Sequence, residues 1–385
     1  MAGKSFTLID SDPAKVSAEQ TITAQDVGGA AKDFSIERFT LKSGLSQGVE
    51  VIDVNNGRCQ IRLLPTRGMA IHSVTVDGVR FGWRSPIRGP VHPAFVDLGE
   101  PSGLGWLDGF DELFARCGLD SNGAPEFEQN GKLKYPLHGR IGNKPAHQVT
   151  ATVDGDEIRI VGVIEEARFH FLKLRLKSTL TIKIGEPKFR ITDEVENLST
   201  LPAEFQMLYH INFGLPLLDG GSRVVCAPEK VVPRNAHAAA GLKSWDHYSA
   251  PQPGFEEQVY FFKLLSQADG WTHTLLKNAH GTQGASVLYN TKTLPCFSVW
   301  KDTAGEADGY VTGLEPATNF PNPRSFEGKA GRVGKLAAGA STALELELQF
   351  HTKAAEVTAA EAAIGKLAEG KTPQIFDQPQ PDWCA

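Results

Sequence analysis

Several features that would assign a chain to a particular class are scarce in this sequence. It has few cysteines for its 385 residues. The five are Cys59, Cys117, Cys226, Cys296 and Cys384. No two of them have the close spacing of a zinc or redox motif. We therefore interpret them as reduced and mostly buried thiols, which is typical of a cytoplasmic protein.

An excess of basic residues and a long apolar run are also missing. The formal net charge is −6 at pH 7, which argues against a nucleic acid or an anionic membrane surface as partner. No apolar run approaches the ~20 residues that span a bilayer. Residues 1–10 contain no long apolar stretch of the kind found in secretory signals. These absences predict a cytoplasmic protein without nucleic-acid or membrane partners.

The sequence also has no Gly-rich phosphate loop, internal repeat or run of helical patterns between its strands. Instead, residues 172–184 alternate Leu or Ile with Lys, Arg or Thr, as expected for an antiparallel strand with one buried face. Asn56-Gly57 and Asp77-Gly78 are strong hairpin signals. Further strands are predicted at 189–195, 259–265, 271–276, 284–289, 296–300 and 310–314. This pattern predicts an all-β fold, a large antiparallel β-sandwich with a C-terminal helix.

The pattern predicts three consecutive parts. Residues 1–33 show weak periodicity and are expected to form an arm with one short strand at 6–9. Residues 34–352 would form the sandwich, and residues 353–385 would form a helix and tail. Thr358 and Glu361 have the spacing of a capping box at the start of this helix, and Gly370 would end it.

Residues 84–147 interrupt the strand pattern with many glycines and prolines. A loop of this length is uncommon in a compact domain unless it has a function. We expect it to contain a short helix around 108–116 and to build one wall of a site, because it ends at His138.

Two histidines and one carboxylate lie in apolar surroundings. They are His138 in Leu-His-Gly, His210 in Tyr-His-Ile-Asn-Phe-Gly and Glu315 in Gly-Leu-Glu-Pro. Such groups suit general acid and base catalysis when burial tunes their pKa values. Taken alone, His210 fits a core histidine bonded to a backbone carbonyl better than a catalytic residue, and Glu315 fits an exposed strand end.

A metal site is the weaker alternative for these histidines. Its ligands would be drawn from His92, His138, His147 and His210, together with Asp97 or Glu315. No pair of these histidines has the tight spacing that commonly anchors a metal.

The order of these motifs resembles that of the aldose 1-epimerases, the galactose mutarotases. That family has one His in a Leu-His-Gly context, a second in Asn-His-x-Tyr-Phe-Asn and a Glu in Leu-Glu-Pro. The resemblance extends over residues 36–350. It is closest to a mutarotase-like branch of the DUF4432 type, with Leu-Pro-Thr-Arg-Gly at 64–68 and Cys-Gly-Leu-Asp-x-x-Gly at 117–123 as further marks.

The resemblance implies a mutarotase-like sandwich and a cofactor-independent sugar epimerase. Glu315 would be the base, His210 the acid, and His138 would hold or polarise the ring oxygen. The family's Gly-Arg-x-Ala-Asn-Arg segment is missing, so Arg67 is the candidate to replace its sugar-binding Arg. Glu256 would stand where the family has a binding Asp, and the adjacent Glu257 is an equally good candidate for that position.

Two further residues are candidates for substrate binding, namely Arg140, directly after His138-Gly139, and Trp300, as a stacking face with Trp83 and Trp106. A cluster of Arg140, Arg84, Arg88 and Arg116 would indicate an anionic sugar, whereas each of these arginines singly is expected at the solvated surface. The alternatives to an epimerase are another acid/base sugar isomerase or lyase, or a non-catalytic carbohydrate-binding protein. We expect a small-molecule sugar as partner and a monomer or homodimer.

Overall fold

Two large sheets pack face to face in the computed structural model, which describes residues 3–16, 19–28 and 33–385. Within these ranges the first sheet contains nine strands. In spatial order they are β1 (Lys4–Asp10), β11 (Gln148–Asp154), β12 (Glu157–Ala167), β13 (Lys173–Lys183), β14 (Lys188–Asn197), β24 (Ser341–His351), β20 (Gly284–Asn290), β19 (Trp271–Lys277) and β16 (Arg223–Val225). Neighbouring strands of this sheet run antiparallel.

The second sheet contains fourteen strands in the same described ranges, two of them off its main path. The main path is β2 (Gln20–Thr23), β3 (Ser35–Thr40), β4 (Glu50–Asn55), β5 (Cys59–Leu64), β6 (Ala70–Val76), β8 (Phe114–Leu119), β15 (Ala203–Phe213), β22 (Val311–Ala317), β21 (Cys296–Asp302), β18 (Gln258–Leu264), β17 (Pro228–Pro233) and β25 (Gln374–Ile375). Off this path, β7 (Val79–Phe81) pairs with β6 and β23 (Gly334–Leu336) pairs with β15. A separate hairpin joins β9 (Glu126–Phe127) to β10 (Leu133–Tyr135).

Helices are short apart from the last one. They are α1 (Ala236–Ala240), α2 (Arg324–Lys329) and α3 (Ala354–Ala368). Single turns of 3-10 helix occur at Pro13–Lys15, Ala24–Val27, Gly44–Ser46, Pro65–Arg67, Pro93–Phe95, Gly105–Gly109, Ile141–Asn143, Leu242–Ser244 and Glu306–Asp308. No helix in the described ranges is both long and apolar enough to cross a membrane.

The alternation in the sequence explains the core. On β13, Leu174, Leu176 and Leu180 are buried, while the residues between them are mostly half-buried or exposed. Side chains alternate between the two faces of a strand, so one face of this sheet meets the apolar face of the other. The main core contains residues from both sheets, including Met207 and Ile211 of β15.

The predicted all-β sandwich with a C-terminal helix is confirmed, and so are both hairpins. Asp77 and Gly78 have φ values of 50° and 82°, and two positive φ values suit a two-residue turn that follows the twist of the strands. The strands predicted between 189 and 314 are present, each within a few residues of the predicted limits.

Two local predictions differ from the structure, and a third agrees with it. The segment 108–116 does not form the expected helix, because Phe114–Leu119 is a buried strand paired with β15. Helix α3 begins at Ala354, so Thr358 lies within its second turn and does not cap it. Gly370 follows the end of α3 with a φ of 69°, as expected for a glycine at this position.

The N-terminal segment is more ordered than an arm with one strand. β1 forms the edge of the first sheet against β11, and β2 pairs with β3 in the second sheet. The remaining residues of the predicted arm, at 1–2, 17–18 and 29–32, lie outside the described ranges.

Candidate active site

A cavity of about 530 Å³ lies against one face of the second sheet. Its sheet side is formed by strands β15, β18, β21 and β22. The Gly/Pro-rich segment 84–147 supplies the opposite wall, with Trp106, Phe110 and His138 among its lining residues. All three catalytic candidates from the sequence line this one cavity. They are Glu315, His210 and His138.

Strand register brings Glu315 and His210 together. Leu208 lies opposite Ala317 and Ile211 opposite Leu314, so His210 falls across from Glu315 on the neighbouring strand. His210 Nε2 is 3.2 Å from Glu315 Oε1, and both side chains are about 95% buried or more. Side chains directly opposite each other on neighbouring strands are close by construction.

A glycine on β22 leaves room for this pair. A Cβ at Gly313 would lie 2.5 Å from Glu315 Oε1 and 3.2 Å from His210 Cε1. Residues two apart on a strand point to the same face, so Gly313 and Glu315 share the cavity face. Any side chain at position 313 would displace the carboxylate.

Glu315 has unused hydrogen-bonding capacity. Its Oε1 is buried and has no hydrogen-bond partner among the described residues, although it lies 3.2 Å from His210 Nε2. Burial, and after it the nearby Glu257 carboxyl, raises the pKa of Glu315 from 4.5 to about 8, against the opposing effect of Arg234. A buried polar atom without a partner is rare and calls for an explanation such as a ligand.

His138 reaches the cavity from a tight loop. Its φ is 56°, a left-handed conformation that is uncommon for a side chain other than glycine and often marks a functional position. A Cβ on the following Gly139 would lie 2.0 Å from the Ser121 carbonyl oxygen, so the Leu-His-Gly motif needs its glycine. His138 Nδ1 is 2.9 Å from the Asn122 carbonyl oxygen.

Both histidines are neutral in this environment. Burial lowers the pKa of His138 from 6.5 to about 4. Burial, and then the proximity of His138, lowers the pKa of His210 from 6.5 to about 3, although its contact with Asn212 opposes this. The two rings are 5.2 Å apart at their centroids, and the low-dielectric surroundings disfavour two positive charges there.

Aromatic side chains form the walls around the three polar groups. The ring of Trp106 lies 4.6 Å from that of His138, and the ring of Trp300 lies 5.3 Å from that of His210. Trp83 and Phe110 complete the walls. Trp300 therefore lines the cavity as the sequence predicted, and flat rings of this kind provide stacking faces.

The polar rim comes from Glu257, which the sequence offered as an alternative to Glu256, and from residues that the sequence did not single out. Trp300 Nε1 donates a hydrogen bond of 2.6 Å to Glu257 Oε2, and Arg234 Nη2 is 2.8 Å from Glu257 Oε1. Asp302 also lines the cavity, and burial raises its pKa from 3.8 to about 6. Arg234 and Asp302 carry no recognisable sequence signal, whereas Glu257 was available as the neighbour of a predicted residue.

Three predicted substrate-binding residues, Glu256, Arg140 and Arg67, do not line the cavity. Glu256 points to solvent with 74% of its side chain exposed, 3.9 Å from His237, and Glu257 lines the cavity in its place. Arg140 lines a separate cleft with Glu166 and Lys144.

Arg67 is only 1% exposed and is enclosed in a buried network. Its Nε is 2.8 Å from Glu112 Oε1, its Nη2 donates to the Gly109 carbonyl, and its Nη1 contacts Asn143. All three sides of the guanidinium are therefore occupied by the protein itself. Arg116 is likewise buried against Asp193, so the arginine cluster expected around an anionic sugar is not found among the described cavity residues.

The four histidines considered as metal ligands do not all come together, although His138 and His210 do. His92 and His147 do not line the cavity, and His92 instead accepts from the backbone of Ala94. In the described ranges, no group of three His, Cys, Asp or Glu residues has an arrangement suited to a metal ion.

The comparisons with known proteins agree with this architecture. The profile of the family described as "Domain of unknown function (DUF4432)" matches residues 46–350. The chain belongs to the DUF4432 family. A comparison with curated proteins gives no match.

Among solved structures, a candidate aldose 1-epimerase from Klebsiella pneumoniae subsp. pneumoniae is 33% identical with a TM-score of 0.93, and the match covers 98% of this chain and 99% of that chain. A galactose mutarotase-like protein from Clostridium acetobutylicum is 16% identical with a TM-score of 0.57, covering 82% and 98% of the two chains. The galactose 1-epimerase from Lactobacillus acidophilus is 13% identical with a TM-score of 0.55, covering 83% and 99%. The fold is therefore that of the galactose mutarotase-like proteins, as the sequence resemblance predicted.

Proposed function

We propose that this protein is an aldose 1-epimerase-like enzyme that interconverts the anomers of an uncharged sugar. The observation that carries the proposal is the Glu315–His210 pair at the base of the cavity. It consists of a buried carboxyl oxygen, without a hydrogen-bond partner in the part of the chain that the structure describes, 3.2 Å from an imidazole nitrogen. Relatives named as epimerases or mutarotase-like proteins share the fold, and the site supplies the argument for chemistry.

Anomer exchange needs two proton transfers at neighbouring oxygens. The anomeric hydroxyl loses a proton while the ring oxygen gains one, and the C1–O5 bond breaks. A carboxyl and an imidazole held side by side can serve both oxygens of one hemiacetal, and each such group contributes about 10²–10⁴-fold in rate. His138, whose ring faces that of His210, would orient or polarise the ring oxygen.

The cavity suits a monosaccharide in size and surface. Its volume of about 530 Å³ lies within the roughly 300–1,000 Å³ of small-molecule sites. Trp106 and Trp300 would stack on the apolar faces of a pyranose or furanose ring. Glu257 and Arg234 are positioned at the rim to hydrogen-bond sugar hydroxyls.

The charges around the cavity favour an uncharged substrate over an anionic one. Among its described lining residues, four carboxyl groups accompany one guanidinium. These residues are Glu257, Asp302, Asp308, Glu315 and Arg234. Arg234 is already paired with Glu257, so a phosphate or carboxylate would meet net negative charge without a free cationic partner.

The test is exchange NMR of anomeric protons over a panel of neutral, phosphorylated and acidic aldoses. We expect accelerated exchange with a neutral aldose, reduced about 10²–10⁴-fold in Glu315→Gln because one acid/base group is lost. The matched control is Glu256→Gln, which changes an exposed carboxylate outside the cavity and should leave the rate unchanged.

Other outcomes would contradict the proposal in different ways. Acceleration with only phosphorylated or acidic sugars would overturn the substrate class and keep the chemistry. Line broadening without exchange would indicate a carbohydrate-binding protein. New resonances from a ketose or a dehydrated product would indicate an isomerase or lyase on the same scaffold.

A further inference from the structure

The cavity has two unlike ends, one on each side of the Glu315–His210 pair. Strands β8, β15, β22, β21, β18 and β17 are consecutive neighbours in the second sheet. His210 lies on β15 and Glu315 on β22, in the middle of this series. One end of the cavity therefore adjoins β8, and the other adjoins β18 and β17.

The end at β8 is built around His138. The His138 carbonyl accepts a hydrogen bond of 3.1 Å from the N–H of Gly118 on β8, and His138 N–H donates to the Gly123 carbonyl at 2.9 Å. The next residue, Ala124, donates its N–H to the Pro321 carbonyl at 3.1 Å. Ala124 and Pro321 both line the cavity, so these bonds place them beside His138.

Two leucines and a tryptophan complete this end. Leu137 directly precedes His138 and donates its N–H to the Gly103 carbonyl at 2.9 Å, which brings Leu104 alongside. Both leucines line the cavity, and the ring centroids of Trp106 and His138 are 4.6 Å apart. Leu104 is 43% exposed, and exposed apolar surface beside a cavity is typical of contact with a ligand. The described lining side chains around His138 are apolar or aromatic: Leu104, Trp106, Ala124, Leu137 and Pro321.

The end at β18 and β17 is polar instead. Glu257 directly precedes β18, and Arg234 directly follows β17. These two side chains are paired at 2.8 Å, and Trp300 Nε1 also donates to Glu257. Asp302 lies two residues after Trp300 on β21, hence on the same face, and also lines the cavity. Sugar hydroxyls therefore find several acceptors and a donor at this end.

The proposed chemistry orients a pyranose between the two ends. The anomeric oxygen O1 and the ring oxygen O5 must both reach the Glu315–His210 pair, and His138 would hold O5. C5 is bonded to O5 and carries C6, so the substituent on C5 lies on the His138 side of the ring. C2 lies on the opposite side of C1 from O5, so the hydroxyls of C2 and C3 are directed toward the polar end.

We propose that the apolar end is the subsite for C6 and that the substrate is a 6-deoxyaldohexose, in which C6 is a methyl group. The inference rests on the proposed function and names the substrate class within the uncharged aldoses. A methyl group covers the apolar surface around Leu104 and gains from its own removal from water.

The alternatives at C5 fit this end less well. The C6 hydroxyl of an ordinary aldohexose would lose water there and find no side-chain partner among the residues described at this end, because His138 is engaged with O5. A pentose has no C6 and would leave the apolar surface uncovered. The methyl group is therefore the substituent that matches the surface.

The test compares sugars that differ only in the substituent on C5. Exchange NMR gives kcat/KM for each hexose, its 6-deoxy form and the corresponding pentose, in the gluco, galacto and manno configurations of both enantiomeric series. In the configuration that exchanges fastest, we expect the 6-deoxy sugar to exceed both others by about 10- to 100-fold. A hydrophobic pocket distinguishes a missing methyl group, or an added hydroxyl, by about these factors.

A polar side chain at the apolar end should reduce this preference. In Leu104→Gln the amide offers a hydrogen bond to a C6 hydroxyl, so the ratio of kcat/KM for the 6-deoxy sugar to that for the hexose should fall about five- to tenfold. The matched control is Leu201→Gln, which changes a leucine that is 70% exposed in the turn before β15 and lies outside the described cavity lining. Its ratio should stay that of the unmodified protein. A change in stability alone would alter both sugars equally and leave the ratio unchanged.

An equal or higher kcat/KM for the hexose or the pentose would overturn the inference while the proposed function stands. If no aldose shows accelerated exchange, the proposed function fails, and saturation-transfer difference NMR of the same sugars then tests the subsite by binding alone. Strongest transfer to the C6 methyl protons of a bound 6-deoxy sugar supports the subsite. Weaker transfer there than to the protons on C2 and C3, or no binding, overturns it.

Discussion

Two buried pairs of ionisable groups lie close together in this protein and differ in one respect. In the Arg67–Glu112 pair, each partner is 1% exposed, and the guanidinium also donates to the Gly109 carbonyl. The His210–Glu315 pair is almost as deeply buried and faces a cavity, and none of the described residues gives Glu315 Oε1 a hydrogen bond. The charges of the closed pair are satisfied by the protein itself, whereas the open pair is available to a ligand.

The two pairs are also connected. The Glu112 side chain binds Arg67, while its carbonyl oxygen accepts from Asn212 Nδ2 and from Trp83 Nε1. A closed ion pair thus anchors the backbone that orients Asn212, and Asn212 in turn contacts the ring of His210. Precise support of this kind is what holds catalytic groups in productive geometry.

Breaking the closed pair should have the largest effect on stability. Arg67→Met leaves Glu112 buried without its charged partner, which typically costs about 3–5 kcal/mol in the free energy of unfolding. Urea unfolding followed by fluorescence would measure this. The control is Arg140→Met, where the nearest carboxylate oxygen is 3.9 Å away and both partners are about one-third exposed, so a loss within about 1 kcal/mol is expected.

A double variant sharpens that prediction. Replacing both partners, in Arg67→Met with Glu112→Leu, should recover much of the lost stability, because no buried charge is left unpaired. An unfolding free energy for Arg67→Met equal to that of the unmodified protein would show that the pair is not structural.

Glu315 of the open pair should make the free energy of unfolding depend on pH. The folded-state pKa of Glu315 is raised from 4.5 to about 8, so the folded state holds this proton more tightly than the unfolded chain. Its contribution is therefore fully present below pH 4.5 and is lost as the pH rises toward about 8. At about 1.4 kcal/mol per pKa unit, the loss is on the order of 5 kcal/mol.

Glu315→Gln should flatten this decline, since the amide does not titrate. Unfolding free energies at both ends of the window, for wild type, Glu315→Gln and the exposed control Glu256→Gln, would measure it. Burial also raises the pKa of Glu166 from 4.5 to about 7, and this background is common to all three proteins. Identical pH profiles for wild type and Glu315→Gln would refute the raised pKa.

The smallest effect is expected at the rim of the open site. Trp300→Phe keeps an aromatic face but removes the hydrogen bond of 2.6 Å to Glu257. Hydrogen bonds to charged groups are worth about 1.5–3 kcal/mol, so KM should rise about tenfold with kcat nearly unchanged. Trp245→Phe, a tryptophan packed on Phe262 outside the cavity, is the control, and equal KM values in the two variants would exclude a role for Trp300 in binding.

The sequence predicted those features that depend only on neighbouring residues in the chain. Period-2 alternation and the Asn-Gly and Asp-Gly turns predicted the sandwich and its hairpins, because side-chain direction in a strand follows from backbone geometry alone. The motifs around His138, His210 and Glu315 predicted three residues that the structure brings to one cavity. Asn212 could also have been found, since it lies two residues after His210 and therefore on the same face of the strand.

The sequence did not predict which side chains face the cavity, because their direction depends on contacts with distant segments of the chain. Arg67 and Glu315 both lie in short motifs next to a proline, yet one is enclosed by Glu112 and the other faces a cavity. Glu256 and Glu257 are adjacent, and their direction depends on how the chain enters β18. The helix predicted around 108–116 became strand β8 because β15 offers it a partner.

By itself, then, the sequence determined the class of fold, its turns and the types of residue at the candidate site. Tertiary structure decided which charges are neutralised by the protein and which remain available, and hence that the cavity lacks the arginine cluster expected for an anionic sugar. The reason is physical. The hydrogen-bond partners of a buried charge come from strands and loops that are remote in the chain, and only strand register and packing bring them within about 3 Å.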